Sequence, residues 1–167
     1  MEVHFHPLGE AEARLVLSWQ YPLPYDLYDM SPDAAEEQTV RTLLDAGNGY
    51  YAMLDEADAV VGFCCFGPDA RVAGGDYGVW MLDIGLGLRP ELTGCGLGLM
   101  MADAVLAFAA EAYGPCDLRV TIAEFNVRAQ RVWMRSGCEL SQRFERAKDG
   151  LAFVVLTRPS VLAGCAD

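Results

Sequence analysis

Three glycines at alternate positions, Gly94, Gly96 and Gly98, lie between an apolar extended run ending at Leu88 and a strongly apolar stretch reaching Tyr113. Thr93, Cys95 and Leu97 fill the places before and between them. Strand, glycine loop and helix start, in that order, build an anion pocket from main chain. The first N–H groups of a helix have no partner within it, and the helix dipole favours negative charge there. Glycines let the chain turn tightly and a ligand come close to the backbone. The pattern points to a phosphorylated, nucleotide-type ligand. No lysine follows the glycines as a Walker loop requires, and the last glycine of a Gly-x-Gly-x-x-Gly dinucleotide pattern falls on Leu99. A structural glycine turn is the alternative reading of the loop on its own.

The elements that must position this loop follow from periodicity and breakers. Residues 3–6 read as a first strand. Gly9 to Trp19 places Ala11, Leu15, Val16 and Trp19 at helical spacing. A proline-punctuated segment, Gln20 to Met30, interrupts the helix, and Ser31-Pro32 opens a second one that ends near Gly47-Asn48-Gly49. Tyr50 to Leu54 and Ala59 to Gly67 form a hairpin, and Trp80 to Leu88 is the strand before the glycine loop. The helix from Gly96 breaks at Gly114-Pro115, a strand runs from Asp117 to Ala123, and Asn126 to Ser136 is a short helix closed by Gly137. Cys138 to Arg146 and Leu151 to Arg158 are the last strands. The order β-α-α-β-β-β-α-β-α-β-β specifies an α/β (α+β) fold.

With 167 residues and 53% hydrophobic content, the chain has material for one domain with a core. Twelve Lys and Arg against twenty-four Asp and Glu leave a net charge of −12, which repels nucleic acid and acidic lipid and draws in cations. Solubility alone is the alternative account of that charge. No apolar run approaches the roughly eighteen residues of a membrane span, so no membrane partner is expected. The first residues lack a basic-then-apolar leader, so a cytoplasmic location is expected. The cysteines form no Cys-x-x-Cys pair, and His4 and His6 have no third ligand near them in sequence, so no metal site is expected.

Two segments together carry a family resemblance. The glycine loop, with Thr93 in its first slot, resembles motif A of the GCN5-related N-acetyltransferases (GNAT), Gln/Arg-x-x-Gly-x-Gly/Ala. Asn126, Ala129, Trp133 and Gly137 stand at the spacing of that family's motif B, Asn-x-x-Ala-x-x-x-Tyr-x-x-x-Gly-Phe, one strand downstream. The match spans roughly residues 50–158. The resemblance implies a single N-acetyltransferase domain over 1–167. Within it, 1–49 supply a strand and acceptor-side helices, 50–137 the cofactor-binding core, and 138–167 the closing strands. It also implies a mixed sheet splayed between its fourth and fifth strands. Acetyl-CoA would be the co-substrate, its pantetheine arm bonded to Leu86, Gly87 and Leu88, and its pyrophosphate held at Thr93, Gly94, Cys95, Gly96, Leu97 and Gly98. Asn126, Ala129 and Trp133 would line the cofactor. For Asn126, a helix N-cap is a compatible second role.

Acyl transfer to an amine needs a neutral nucleophile, a stabilised oxyanion and a proton for the leaving thiolate. Asp83, alone among apolar residues before the glycine loop, matches the position of a glutamate base in many family members, and Glu124 is the second candidate. The alternative for Asp83 is an exposed strand residue or a ligand to the loop between strands, and for Glu124 an acidic residue at a strand end. Trp133 stands where the family places an acidic tyrosine, and an indole N–H cannot take that role. Another residue or water then protonates the thiolate, or it leaves unprotonated; Tyr25, Tyr28 and Tyr113 are candidate donors that no motif position singles out. Trp19, Tyr21, Tyr25 and Tyr28, among prolines and beside Asp26 and Asp29, form the expected acceptor wall; capping of the core is the alternative. The expected reaction is direct transfer of acetyl, in a ternary complex, to a primary amine, either a small molecule or a peptide N-terminus. The alternative is a non-catalytic acyl-CoA-binding or regulatory module, and a nucleotide binder is a third. The apolar run 151–156 suits a homodimer edge as readily as the sheet.

Overall fold

The computed structural model describes residues 2–30 and 36–160. Strand β1 (His4–Pro7) leads into helix α1 (Glu10–Leu17), and α2 (Glu36–Leu44) follows. The hairpin of β2 (Tyr50–Leu54) and β3 (Val60–Phe66) precedes β4 (Leu82–Leu88) and the long helix α3 (Gly98–Tyr113). Then come β5 (Leu118–Ala123), α4 (Val127–Arg135), β6 (Glu139–Glu145) and β7 (Ala152–Arg158). The expected element order holds throughout. The proposed helix start at Ser31-Pro32 lies outside the described residues.

The strands form one seven-stranded sheet in the order β1-β2-β3-β4-β5-β7-β6. Every neighbouring pair is antiparallel except β4 and β5. That parallel pair is joined by the crossover helix α3, as parallel strands require. Alternation along β4 sends Leu82, Ile84, Leu86 and Leu88 to the face that α3 covers. There Met101, Ala102, Val105 and Ala109 are fully or almost fully buried, and each large side chain so enclosed contributes about 1.5–3 kcal/mol. A second cluster, including Ala13, Leu17, Val40, Leu43 and Leu54, fixes α1 and α2 against β2.

The start of β4 moved, and the place of the last strand became defined. Trp80, expected in the strand before the loop, lies outside β4 and is 70% exposed. The run 151–156 supplies β7, which pairs with β5 on one side and β6 on the other, so it is no edge within the chain. Burial of successive residues Phe153, Val154, Val155 and Leu156 explains the unbroken apolar run, since an interior strand is covered on both faces. No helix among the described residues is long and apolar enough to cross a membrane.

Candidate active site

The pairing of β4 with β5 stops early. Leu82 pairs with Leu118 and Asp83 with Arg119, and no pair follows, although β4 runs on to Leu88 and β5 to Ala123. The two strands therefore form a fork. Which backbone groups face it follows from the registers. Gly67 N–H donates to Asp83 C=O and Arg89 N–H to Val61 C=O, so odd-numbered residues of β4 bond to β3. The N–H and C=O groups of Leu86 and Leu88 consequently turn into the fork, with no strand opposite. On β5, Glu124 N–H donates to Ala152 C=O, so even-numbered residues bond to β7, and Thr121 and Ala123 face the fork. An extended amide-bearing chain fits between such arms. Gly87, expected among the backbone contacts, turns its own groups to β3. Its missing side chain instead makes room for the Phe63 ring, which a Cβ would strike.

At the open end of the fork, Gly94 and Gly96 have φ of 75° and 81°, the left-handed region that glycine adopts without steric cost. They swing the chain into α3, which starts at Gly98 with Leu97 as a cap that offers no side-chain hydrogen bond. The first amides of a 16-residue helix are thus open to an anion. Gly98 lets α3 approach α4 closely, since a Cβ there would stand 2.9 Å from Val132 Cγ2. The Thr93 hydroxyl donates to Pro90 C=O at 2.8 Å and the Cys95 thiol points to Glu91 C=O at 3.5 Å, so both side chains serve the loop itself.

Beside the backbone amides of the loop stands a cation. Arg128, in the first turn of α4, lies against the loop: a Cβ on Gly94 would stand 3.2 Å from its Nη1. Its guanidinium also covers the Tyr25 ring, 4.1 Å from the centroid. The available signal was position, because the helix opened by Asn126 must start beside the loop, and Arg128 is basic in its first turn. Asn126 caps that helix, its Oδ1 accepting from Ala129 N–H at 3.1 Å, while Nδ2 donates to the Tyr28 hydroxyl at 3.2 Å. Ala129 packs half-buried against the core. Trp133, expected at the cofactor, is 5% exposed and enclosed by the same core. It shares a helical stripe with Ala129, and that stripe faces inward.

The aromatic segment from Trp19 to Asp29 crosses the fork as a strap. On one arm the Tyr21 hydroxyl donates to Leu88 C=O at 2.7 Å. Burial pushes the Tyr21 hydroxyl up to about 12, so it holds its proton. On the other arm the Tyr28 hydroxyl accepts from Ala123 N–H at 3.3 Å. Asp29 closes the strap by accepting from Tyr21 N–H at 2.8 Å, and Tyr25 packs edge-on against Phe125 at 5.8 Å. Tyr21, Tyr25 and Tyr28 are half-buried and come together at the fork. Trp19 does not join them: it is 7% exposed and packs on Phe63, a foundation under the strap.

Comparison with known proteins gives this geometry its family. A family model described as an Acetyltransferase (GNAT) domain matches residues 5–139. The chain belongs to the GNAT acetyltransferases. Their co-substrate is acetyl-CoA, and the fork, glycine loop and Arg128 supply amide-bonding groups and positive potential where its pantetheine and pyrophosphate would lie. No curated protein matches this GNAT chain by sequence. Among solved structures, a chimera of spermidine N-acetyltransferase SpeG from Vibrio cholerae and hSSAT superposes with a TM-score of 0.74 at 11% identity, over 95% of this chain and 96% of its own. A GNAT-family acetyltransferase from Bacillus anthracis gives 0.70 at 14% identity over 94% of each chain. The yncA structure from Salmonella typhimurium, solved with its cofactor acetyl-CoA, gives 0.69 at 14% identity over 100% and 99%. These likenesses bear on the fold.

The two carboxylates expected to serve the GNAT reaction as bases are both held by arginines. Asp83 is 2% exposed at the vertex of the fork. Arg119 grips it with Nε at 2.6 Å from Oδ1 and Nη2 at 3.0 Å from Oδ2, and Arg71 Nε adds a third bond to Oδ2 at 2.7 Å. The Tyr77 ring lies under both guanidiniums, and its hydroxyl ties to Val72 and Thr121. This cluster fastens the loop between β3 and β4 across the sheet. A carboxylate so committed, away from water, is a counterion to two arginines and presents no open face to an amine. Glu124 is exposed and paired with Arg143, which holds its carboxyl below the usual carboxylate range and makes it a weaker base. A groove of about 430 Å³ beside Asp103, Pro115 and Arg158 lies at the far end of α3 from the glycine loop, and none of the fork residues lines it.

Proposed function

We propose that this GNAT protein transfers acetyl from acetyl-CoA to a primary amine, a small amine or a peptide N-terminus, directly within a ternary complex. The observation that carries the reading is the fork. Leu86 and Leu88 on one arm and Thr121 and Ala123 on the other turn backbone groups inward, and the loop with Arg128 stands at its open end. The strap would form the acceptor side, where the exposed Asp26 and the overall charge of −12 favour a cationic molecule. The SpeG chimera among the structural neighbours carries spermidine in its name, an amine of that kind.

With Asp83 and Glu124 engaged by arginines, the amine reaches the fork as its own free base and its proton passes to water. The test is thiol release from acetyl-CoA across a panel of polyamines, simple alkyl amines and short peptides. CoA should appear with at least one amine, and the rate should climb with pH as that amine deprotonates. A plateau at a carboxylate pKa would instead demand a carboxylate base. A second reading, a module that binds acyl-CoA without chemistry, draws on Trp133 occupying the family's tyrosine position. Binding without thiol release from any amine would favour it.

A further inference from the structure

We propose that Tyr28 is the general acid of the transfer, giving its phenolic proton to the departing sulfur. The assignment rests on the acetyl-transfer reading and names a residue outside the family's two motifs. The Tyr28 hydroxyl oxygen lies 3.3 Å from Ala123 N and 3.2 Å from Asn126 Nδ2. Both partners are donors. The orientation of the Asn126 amide is fixed because its oxygen is taken by Ala129 N–H. A phenolic hydroxyl both accepts and donates; here the oxygen accepts from two donors, and its one hydrogen has no acceptor among the described residues. Because the Ala123 amide faces the fork, that hydrogen belongs to a hydroxyl on the inner edge of the β5 arm.

The other strap tyrosines make no hydrogen bond to the β5 arm among the described residues. Tyr21 donates to Leu88 C=O, and the Tyr25 ring is pressed between Phe125 and Arg128. Tyr113 ends α3 and packs on Phe66, away from the glycine loop. Burial raises the Tyr28 hydroxyl above the ordinary phenol value, and the bonds from Asn126 and Ala123 offset this only in part, so the proton is present at neutral pH.

In the step, the amine nitrogen bonds to the thioester carbonyl carbon. The carbon–sulfur bond then breaks with its electron pair going to sulfur, and the Tyr28 proton passes to that sulfur. The new amide nitrogen gives its extra proton to water, and the phenolate recovers one from water. Meanwhile Ala123 N–H and Asn126 Nδ2–H hold the phenolate, and hydrogen bonds to a charged oxygen are stronger than those to a neutral one. The two donors thus favour the state that exists after proton transfer.

The test compares wild type, Tyr28→Phe and a chain carrying 3-fluorotyrosine at position 28. In the Phe variant, kcat for CoA release should fall about 10²–10⁴-fold, the usual contribution of a positioned acid, with the KM for acetyl-CoA little changed. Calorimetric titration reads the contact without turnover: the Phe variant should bind CoA about threefold to tenfold more weakly, the worth of one hydrogen bond, and desulfo-CoA unchanged. Fluorotyrosine, which keeps the shape and lowers the phenol pKa, should move the alkaline limb of kcat to lower pH. Equal losses for CoA and desulfo-CoA would make Tyr28 a prop for Ala123 and Asn126. Unchanged kcat in Tyr28→Phe, or an unmoved limb, would likewise overturn the assignment and leave the transfer reading standing. A wild type that releases no thiol with any amine would remove the transfer reading and this acid together.

Discussion

Asp83→Asn is expected to lower folding stability by about 3–5 kcal/mol, the penalty for stripping one partner from a buried ion pair. Arg119 is 3% exposed and, among the described residues, forms its ion pair with Asp83, through two bonds at 2.6 and 3.0 Å. Asparagine keeps the shape but leaves one oxygen where two served three donors. The pair also stands at the last register position before β4 and β5 part, so its loss loosens the vertex that sets the fork. Chemical denaturation checks the first effect, and turnover corrected for the folded fraction checks the second. The double change Asp83→Leu with Arg119→Met should recover much of the loss, because an apolar replacement leaves no buried charge behind. Arg71, partly exposed, can then turn to water. Full stability in Asp83→Asn together with a collapse of kcat would return Asp83 to the role of base.

Arg128→Ala is expected to weaken acetyl-CoA binding by about 10–100-fold, the worth of a hydrogen bond to a charged group. The guanidinium abuts Gly94 and lies over Tyr25, so it holds the strap to the loop as well as adding positive potential. The side chain is exposed, so stability should barely change. Isothermal titration at several salt concentrations separates the contributions: wild-type affinity should decline with added salt, and the variant should decline less. Equal affinity in both proteins would mean that backbone amides alone hold the pyrophosphate.

Local pattern made the framework legible. The apolar run of β4, the breakers at Gly114-Pro115 and Gly137, and the Asn126 cap each recur in the structure with boundaries shifted by a residue or two. The fork's contacts were less visible, because backbone direction depends on register and register depends on neighbours. Leu86 and Leu88 face the fork while Gly87 does not, a distinction of one residue set by β3.

Partners distant in sequence hid the rest. Asp83 stands alone in an apolar run, and nothing local marks it as a buried counterion until Arg119, thirty-six residues on, is placed beside it. Trp133 holds the motif's tyrosine position, yet its helical stripe with Ala129 faces the core. The strap was legible as aromatic and proline-punctuated. That its two outer tyrosines would grip opposite arms of the fork required the three-dimensional fold.

Hydrogen exchange of the backbone amides with and without acetyl-CoA tests the central claim most directly. If the fork and loop hold the co-substrate, protection should rise at Leu86 and Leu88 and across Gly94 to Gly98, and the groove beside Asp103 and Pro115 should be unchanged. Protection in that groove, or none at the fork with the co-substrate saturating, would contradict the account.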